Sequence, residues 1–316
     1  HRLIKKAQRI LSGTTTARNL FSTHGIQVFF PKPPCENSGI PYVCWLPDFQ
    51  HVRRPDLLSP QQCEYFEASF LKQVTQARSI VLSSQDAKND FARVFPNYLD
   101  QTHIVRFCSV PDDQWWKLDP ISVVKQHRLP ERFFIACNQF TRHKNHLTLM
   151  RALDILTRRG ASDIHLVCTG SLTDYRHEGY IDQVREFITT HNLESRVHIL
   201  GMIPRAEQIA LLRQSVAVLQ PSWFEGWSTI IEDAKTLGKP ILASDLPVRR
   251  EQIPEVSKRL LSLEDPGDWA DALLEARGSL SHGVDSNQEA SGQAQMKIDQ
   301  QECGLAFVRA LSYAVE

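Results

Sequence analysis

Short apolar runs alternate with helical patterns along most of the chain, and no other feature constrains the fold as much. In the first third the strand candidates are residues 26–30 (IQVFF), 42–46 (YVCWL), 79–83 (SIVLS) and 103–107 (HIVRF). Helices are predicted over 60–76 after Ser59 and over 85–95 after Ser84, because a serine hydroxyl accepts from the free N–H groups of a first turn. The rhythm restarts after residue 120. RFFIAC, DIHLVCT, RVHIL, VAVLQ and PILAS read as strands, with helices near 147–158, 181–190, 205–214 and 229–237 between them. Such alternation specifies a mostly parallel sheet flanked by helices.

The segment 111–120 (PDDQWWKLDP) breaks both periodicities and reads as an interdomain linker. The expected fold class is therefore α/β, with two Rossmann-like domains over residues 1–118 and 119–280. Residues 281–301 are polar and poor in large apolar side chains, so a loose connection is expected there. An amphipathic helix, CGLAFVRALSYAV (303–315), then closes the chain within 281–316. Two doubly wound sheets facing each other leave a cleft at the carboxyl ends of their strands, where ligands bind in such sheets.

Composition narrows the partners. Lys plus Arg equals Asp plus Glu, 36 each, so no bulk charge calls for nucleic acid or an acidic membrane, and any anion binding must be local. No apolar run approaches the roughly 20 residues of a bilayer span. Peripheral contact with a membrane stays open. The opening HRLIKKAQRIL is basic but leads into no signal-peptide stretch. Seven cysteines without a CxxC pair argue against a zinc site or a disulfide framework. They read as reduced structural thiols, and the protein as cytoplasmic.

The chemistry concentrates in residues 220–240, QPSWFEGWSTIIEDAKTLGKP. An apolar strand ends in a loop that opens directly onto a helix. Gly226 allows close backbone approach, and Ser228 and Thr229 supply the helix start, whose free N–H groups and dipole suit a diphosphate. Glu225 projects from the loop, placed to accept hydrogen bonds from sugar hydroxyls. On a helical wheel Ile230, Ile231, Ala234 and Leu237 share the core face. Glu232 falls nearly opposite, towards solvent. Asp233 falls at the edge, one turn below Thr229, and is the expected ligand contact.

SWFEGWSTIIEDA resembles the donor-site motif of family 4 retaining glycosyltransferases, in which two glutamates are separated by seven residues. The resemblance implies a GT-B fold. It also implies that Glu225 contacts the transferred sugar, and that the second acid, here the shorter Asp233, binds the ribose hydroxyls. NQFTRHKNH is similar to the family's strand-then-KN segment, whose lysine, Lys144, neutralises the donor diphosphate. The family's upstream arginine is replaced by Gln139, with Arg142 as the nearby substitute. Gly170 ends LVCTG, LGMIPRAEQIALLRQSVAVLQPS is similar to the base-binding loop and its helix, and SDLPVRREQ also has the family's look. The similarity runs over about 25–276.

WLPDFQHVRRPDLLSP resembles a first-domain segment that usually reads HDLQH followed by a proline. Asp48, Gln50, His51 and Pro55 match it, while Pro47 takes the place of the first histidine. His51 is open to two readings, a cleft residue or a satisfied structural histidine. Asp48 is open to holding a turn or a substrate. The strand and glycine-rich loop with which family members begin are not found before His1, so the first domain is expected to be incomplete and the chain a fragment or a diverged copy.

The resemblance implies transfer of a hexose from a nucleoside diphosphate sugar to an acceptor hydroxyl (a glycan, a lipid-linked or a small molecule) with retained configuration. No cofactor or metal is expected. Two other readings remain open: a nucleotide-sugar 2-epimerase of the same fold, and a silent nucleotide-sugar-binding remnant.

Overall fold

The computed structural model describes residues 21–32, 38–174 and 176–316. The segment before residue 21 lies outside the described residues. The chain divides into two compact units. One comprises residues 1–55, 59–107 and 301–316; the other comprises 56–58 and 108–300.

The first unit is built on a parallel sheet ordered β1 (Val43–Leu46), β2 (Ser79–Leu82) and β3 (Thr102–Ile104). The strand expected at 26–30 is reduced to an isolated bridge between Phe29 and Tyr42. Between β1 and β2 run α1 (Gln50–Arg53) and α2 (Pro60–Gln76). Ser59 caps α2 in a capping box with Gln62, and Ser84 caps α3 (Gln85–Val94) by accepting from the Ala87 N–H. One face of the sheet packs on Phe49, Phe70 and Phe91. The other packs on Ala310 and Ala314.

The second unit begins earlier than the patterning suggests. Within the expected linker, α4 (Gln114–Lys117) buries Trp115 among Val123, Phe133 and Ile209, and α5 (Pro120–Gln126) follows. Its sheet is six-stranded and wholly parallel, ordered β6-β5-β4-β7-β8-β9. In chain order the elements are β4 (Phe134–Cys137), α6 (His146–Arg158), β5 (Leu166–Thr169), α7 (Tyr180–Thr190), β6 (Val197–Gly201) and α8 (Arg205–Gln214). After them come β7 (Val218–Gln220), α9 (Thr229–Thr236), β8 (Ile241–Ser244), α10 (Pro247–Gln252), β9 (Lys258–Leu261) and α11 (Pro266–Ser279).

The central strands β4, β5, β7 and β8 read as largely apolar runs because both faces are covered. On β4, Phe134 and Ala136 join the core with Trp269, while Phe133, Ile135 and Cys137 join the core with Ile231 on the opposite face. Each fully buried aliphatic side chain contributes about 1.5–3 kcal/mol.

The loose connection expected over 281–301 is instead helical, since α12 spans Ser286–Val315 without a break. Its apolar positions are small and widely spaced, so the pattern reads as polar. Gly292 shows why those small residues matter: a Cβ there would come within 2.4 Å of Lys235 O. The helix therefore packs directly against the end of α9.

Candidate donor site

Strand order locates the crevice before any side chain does. From β4 the chain winds outward through β5 and β6, then returns to the other side of β4 for β7, β8 and β9. The switch point lies between the adjacent strands β4 and β7, and ligands gather at the carboxyl ends of such a pair.

Both loops leaving those ends are tied together. Asn145, fully buried with φ at 54°, donates from Nδ2 to Pro221 O at 3.1 Å. The Trp223 N–H donates to His143 O at 2.8 Å. Across this seam Lys144 Nζ meets Glu225 Oε1 at 2.6 Å. Ser222 Oγ donates to the same oxygen at 2.7 Å, and Arg249 Nη2 from α10 stands 3.4 Å from it. The Glu225 side chain is only 8% exposed. Burial alone would push its carboxyl up, but Lys144, Arg249 and His143 together hold it at about 2.

A third loop closes in from β5. Gly170, at φ 137°, lies against the loop after β4, where a Cβ would come 2.2 Å from Asn138 O. Beyond it Asp174 accepts the N–H groups of Arg142 and Arg176, both at 3.0 Å. Arg176 Nη2 sits 3.1 Å from His143 Nδ1. A guanidinium only donates, so His143 accepts at Nδ1 and carries its proton on Nε2. Burial first, then Lys144, lowers its pKa to about 3.

The structure thus brings Lys144 and Glu225 together, with Arg142 exposed on the same short turn. The expected helix start is less open than its sequence suggests. Ser228 precedes α9 without a side-chain cap, and its N–H is held by Gln252 Oε1 at 3.2 Å. Thr229 is exposed. Gly226 lies between Glu225 and the helix and takes no positive φ, so its backbone does not itself demand glycine.

The neighbouring acids depart from the helical wheel. Ile230, Ile231, Ala234 and Leu237 are core residues, as expected. Glu232, however, does not face solvent. It is buried, accepting from Gln252 Nε2 and Lys235 Nζ, each at 2.9 Å, and Lys235 also pairs with Asp299 of α12. The wheel fails because α10 and α12 cover the face that an isolated helix would leave wet. Asp233 is buried too. Its oxygens accept from Ser109 Oγ at 2.6 Å and from Arg205 Nη2, whose guanidinium lies over the Trp115 ring. A ribose diol at Asp233 would have to displace one of these donors.

His51 and Asp48 belong to the first unit. Asp48 Oδ1 accepts the Gln50 N–H at 3.0 Å and so holds the turn into α1. His51 is half-buried against Phe49, Phe66 and Phe70, and its burial lowers its pKa, with Glu67 opposing.

Sequence reasoning did not single out Arg249, Ser222, His143, Arg176 or Asp174. His143 and Ser222 lie inside the quoted segments NQFTRHKNH and SWFEGWSTIIEDA and Arg249 inside SDLPVRREQ, but nothing in those patterns marks these side chains or separates Arg249 from Arg250, which is largely exposed and paired with Asp245. Among the described residues no cluster of three or more His, Cys, Asp or Glu could hold a metal ion, and no helix is long and apolar enough to cross a membrane.

Residues 119–277 match the family described as Glycosyl transferases group 1. No functionally curated protein sequence matches the chain. Among solved structures it is similar to Anabaena HepE in complex with UDP and glucose, at 16% identity and a TM-score of 0.70 over 98% of this chain and 81% of that one. A glycosyltransferase from Rickettsia africae is similar at 16% identity and a TM-score of 0.69, covering 96% and 80% of the two chains. Sucrose-phosphate synthase from Thermosynechococcus elongatus is similar at 15% identity and 0.64, covering 98% and 77%. These likenesses show the fold: two Rossmann-like units of the GT-B type.

Proposed function

The chain belongs to the glycosyl transferases group 1 family, and from that premise we propose that it transfers a hexose from a nucleoside diphosphate sugar to an acceptor hydroxyl with retention of configuration. One observation carries this reading. At the β4–β7 switch point a lysine and an arginine converge on a single buried carboxylate. Two cations against one anion leave a surplus positive charge, which suits a diphosphate leaving group. Similar folds have been captured with UDP and glucose and with UDP-glucose, so a uridine nucleotide is the first donor to try.

In this reading Lys144 turns to the donor diphosphate and stabilises the charge that develops as the glycosidic C–O bond breaks. Glu225, ionised at neutral pH, accepts hydrogen bonds from hydroxyls of the transferred sugar. Arg142, exposed at the mouth of the same turn, adds charge to the phosphate side. Gly226 leaves room for the donor beside the backbone, and Gly170 lets the loop after β5 lie against the Asn138 carbonyl at the edge of the site. The start of α9 at Ser228 and Thr229 faces the phosphates with its dipole. Asp233 takes the ribose by exchanging one of its present partners. The leaving phosphate itself takes the acceptor proton, so no cofactor is required. The acceptor is a glycan, a lipid-linked or a small molecule, met in the cytoplasm.

Differential scanning fluorimetry against UDP-, GDP- and ADP-sugars tests the reading, since a ligand that binds only the folded state raises the melting temperature by mass action. A shift with one nucleotide series, followed by sugar transfer to water or to an added acceptor with the α-linkage of the donor retained, is the expected result. No shift with any of them overturns it.

A further inference from the structure

Arg249 stands apart among the groups around Glu225. Its side chain is fully buried, yet Nε and Nη2 make no hydrogen bond. Nη1 donates to Gln252 Oε1 at 3.1 Å. Nη2 lies within ion-pair distance of Glu225 Oε1, at 3.4 Å, but is not aligned as a hydrogen bond. A buried guanidinium with idle donors is costly, and its presence calls for a state in which those donors are used.

The same oxygen of Glu225 is already held by Lys144, at 2.6 Å. On the donor-site reading above, that ammonium has two successive duties. In the free protein it neutralises Glu225; with donor bound it must neutralise phosphate. Glu225 would then lose its nearest counter-ion inside a dry pocket at the moment it receives sugar hydroxyls. The other groups facing it are Ser222 Oγ, which is neutral, and His143, which burial keeps neutral. Arg176 and Asp174 act on His143 from the loop after β5. With His143 neutral near pH 7, Arg249 is the remaining positive charge among the groups that act on Glu225.

The mounting of Arg249 fits that task. The Gln252 amide accepts the Ser228 N–H and donates to Ser228 O at 2.8 Å and to Glu232 Oε1 at 2.9 Å, so it is pinned to the start of α9. Gln252 in turn fixes one side of the guanidinium and leaves the opposite side towards Glu225. We propose that Arg249 is the positioning residue for Glu225, closing onto the carboxylate as its counter-ion when Lys144 transfers to the donor diphosphate. The step is a rearrangement of ion pairs and breaks no covalent bond.

Removing the lysine head group imitates its departure without any ligand. Carbon-13 NMR of labelled glutamate carboxyls, with the Glu225 signal assigned by its loss in Glu225→Gln, follows the ionisation directly. In Lys144→Met the Glu225 carboxyl should still titrate below about 4.3, the ordinary glutamate value. In Lys144→Met/Arg249→Met the midpoint should rise above that value, and Lys144→Met/Arg249→Lys should bring it back down. A brace that merely held α10 in place would not separate lysine from methionine in this way. The proposal is overturned if Lys144→Met alone lets Glu225 rise above the ordinary value, which needs only the single variant to fold. It is overturned equally if Arg249→Met adds no shift. No nucleotide enters the experiment, so its failure leaves the donor reading intact, and that reading fails separately if no nucleotide sugar binds the wild type.

Discussion

The two units share one architecture, parallel strands with helices between them, and both place charged residues at the ends of strands, but the charges are satisfied differently. In the first unit Arg53 lies between Asp86, at 2.7 Å, and Asp90, at 3.6 Å, and Arg93 also pairs with Asp90 at 3.4 Å, so two guanidiniums match two carboxylates. Asp48 is spent on a turn, and His51 on a wall of phenylalanines. In the second unit the charges do not match: Lys144 and Arg249 share Glu225, and the arginine's bonding is incomplete. Position at a strand end therefore does not by itself mark a ligand site. Surplus charge held in a dry place does, because a protein retains such a cost only where something offsets it.

The largest expected effect tests this contrast. Glu225→Ala would leave two buried cations without their anion and should cost about 3–5 kcal/mol of stability. Asp48→Ala removes the cap-like hydrogen bond to the Gln50 N–H and should cost about 0.5–2 kcal/mol. Urea unfolding of the two variants measures both. If Asp48→Ala proves the more damaging, the first unit holds the more critical charge and the comparison fails.

Much of this contrast was hidden from the sequence for a physical reason. The strands of the second unit were legible because burial on both faces forces continuous apolar runs, and RFFIAC and LVCT show them plainly. The loop of Glu225 was legible because a strand-to-helix turn carries its own signature, and Lys144 stood out through the resemblance that NQFTRHKNH carries. Glu232 was misread because a wheel drawn for one helix knows nothing of α12, which reaches α9 from more than fifty residues downstream. Strand β9 passed unnoticed because Lys258 and Arg259 interrupt its apolar run, and the first half of α12 because that stretch is mostly polar and small, whereas its second half was expected as the closing helix. Arg249 is the instructive case. Nothing local distinguishes a buried arginine from its exposed neighbour; only the fold does.

Acid provides the next test. His143 and His146 are held neutral in the second unit, each lowered to about 3 by burial and then by Lys144. In the unfolded chain both titrate near 6.5. The unfolded state therefore binds more protons below that pH, and stability present above about 6.5 is lost as the pH falls towards 3. Between pH 7 and 5 the loss should be about 1.5–2 kcal/mol for each histidine, roughly 3 or more for the pair. Five of the six tryptophans lie in the second unit and Trp45 in the first, so fluorescence of Trp45→Phe follows the second unit alone. His146→Leu should remove its own share of the pH dependence, about 1.5–2 kcal/mol between pH 7 and 5. An unchanged slope would mean that these histidines are already charged in the folded protein.

A smaller effect separates phosphate from nucleoside recognition. Lys144→Ala should weaken nucleoside diphosphate binding by about 1.5–3 kcal/mol, the worth of a charge-assisted contact, and leave nucleoside binding nearly unchanged. Isothermal titration calorimetry with UDP and uridine makes the comparison. Equal weakening of both would remove Lys144 from the phosphate site and leave it only the structural pairing with Glu225.

The smallest effect is expected at His51, and it carries the other half of the comparison. The ring is half-buried, edge-on to Phe70 at 5.0 Å and stacked against Phe49 at 6.1 Å, and burial favours its neutral form. Those contacts are apolar, so His51→Leu should change stability by less than about 1.5 kcal/mol, as volume-conserving core changes do. If packing is all that the ring provides, the transfer rate with a screened donor should stay close to that of the wild type. A general acid or base contributes about 10²–10⁴-fold, so a loss of that size with stability preserved would identify a working catalytic histidine. The pH profile adds a second readout: a catalytic imidazole imposes a limb at its own pKa that His51→Leu would abolish, whereas a packed one imposes none. A preserved rate and an unchanged profile would leave the chemistry with Glu225 and Lys144, and would confine the role of His51 to the apolar core that α1 and α2 share.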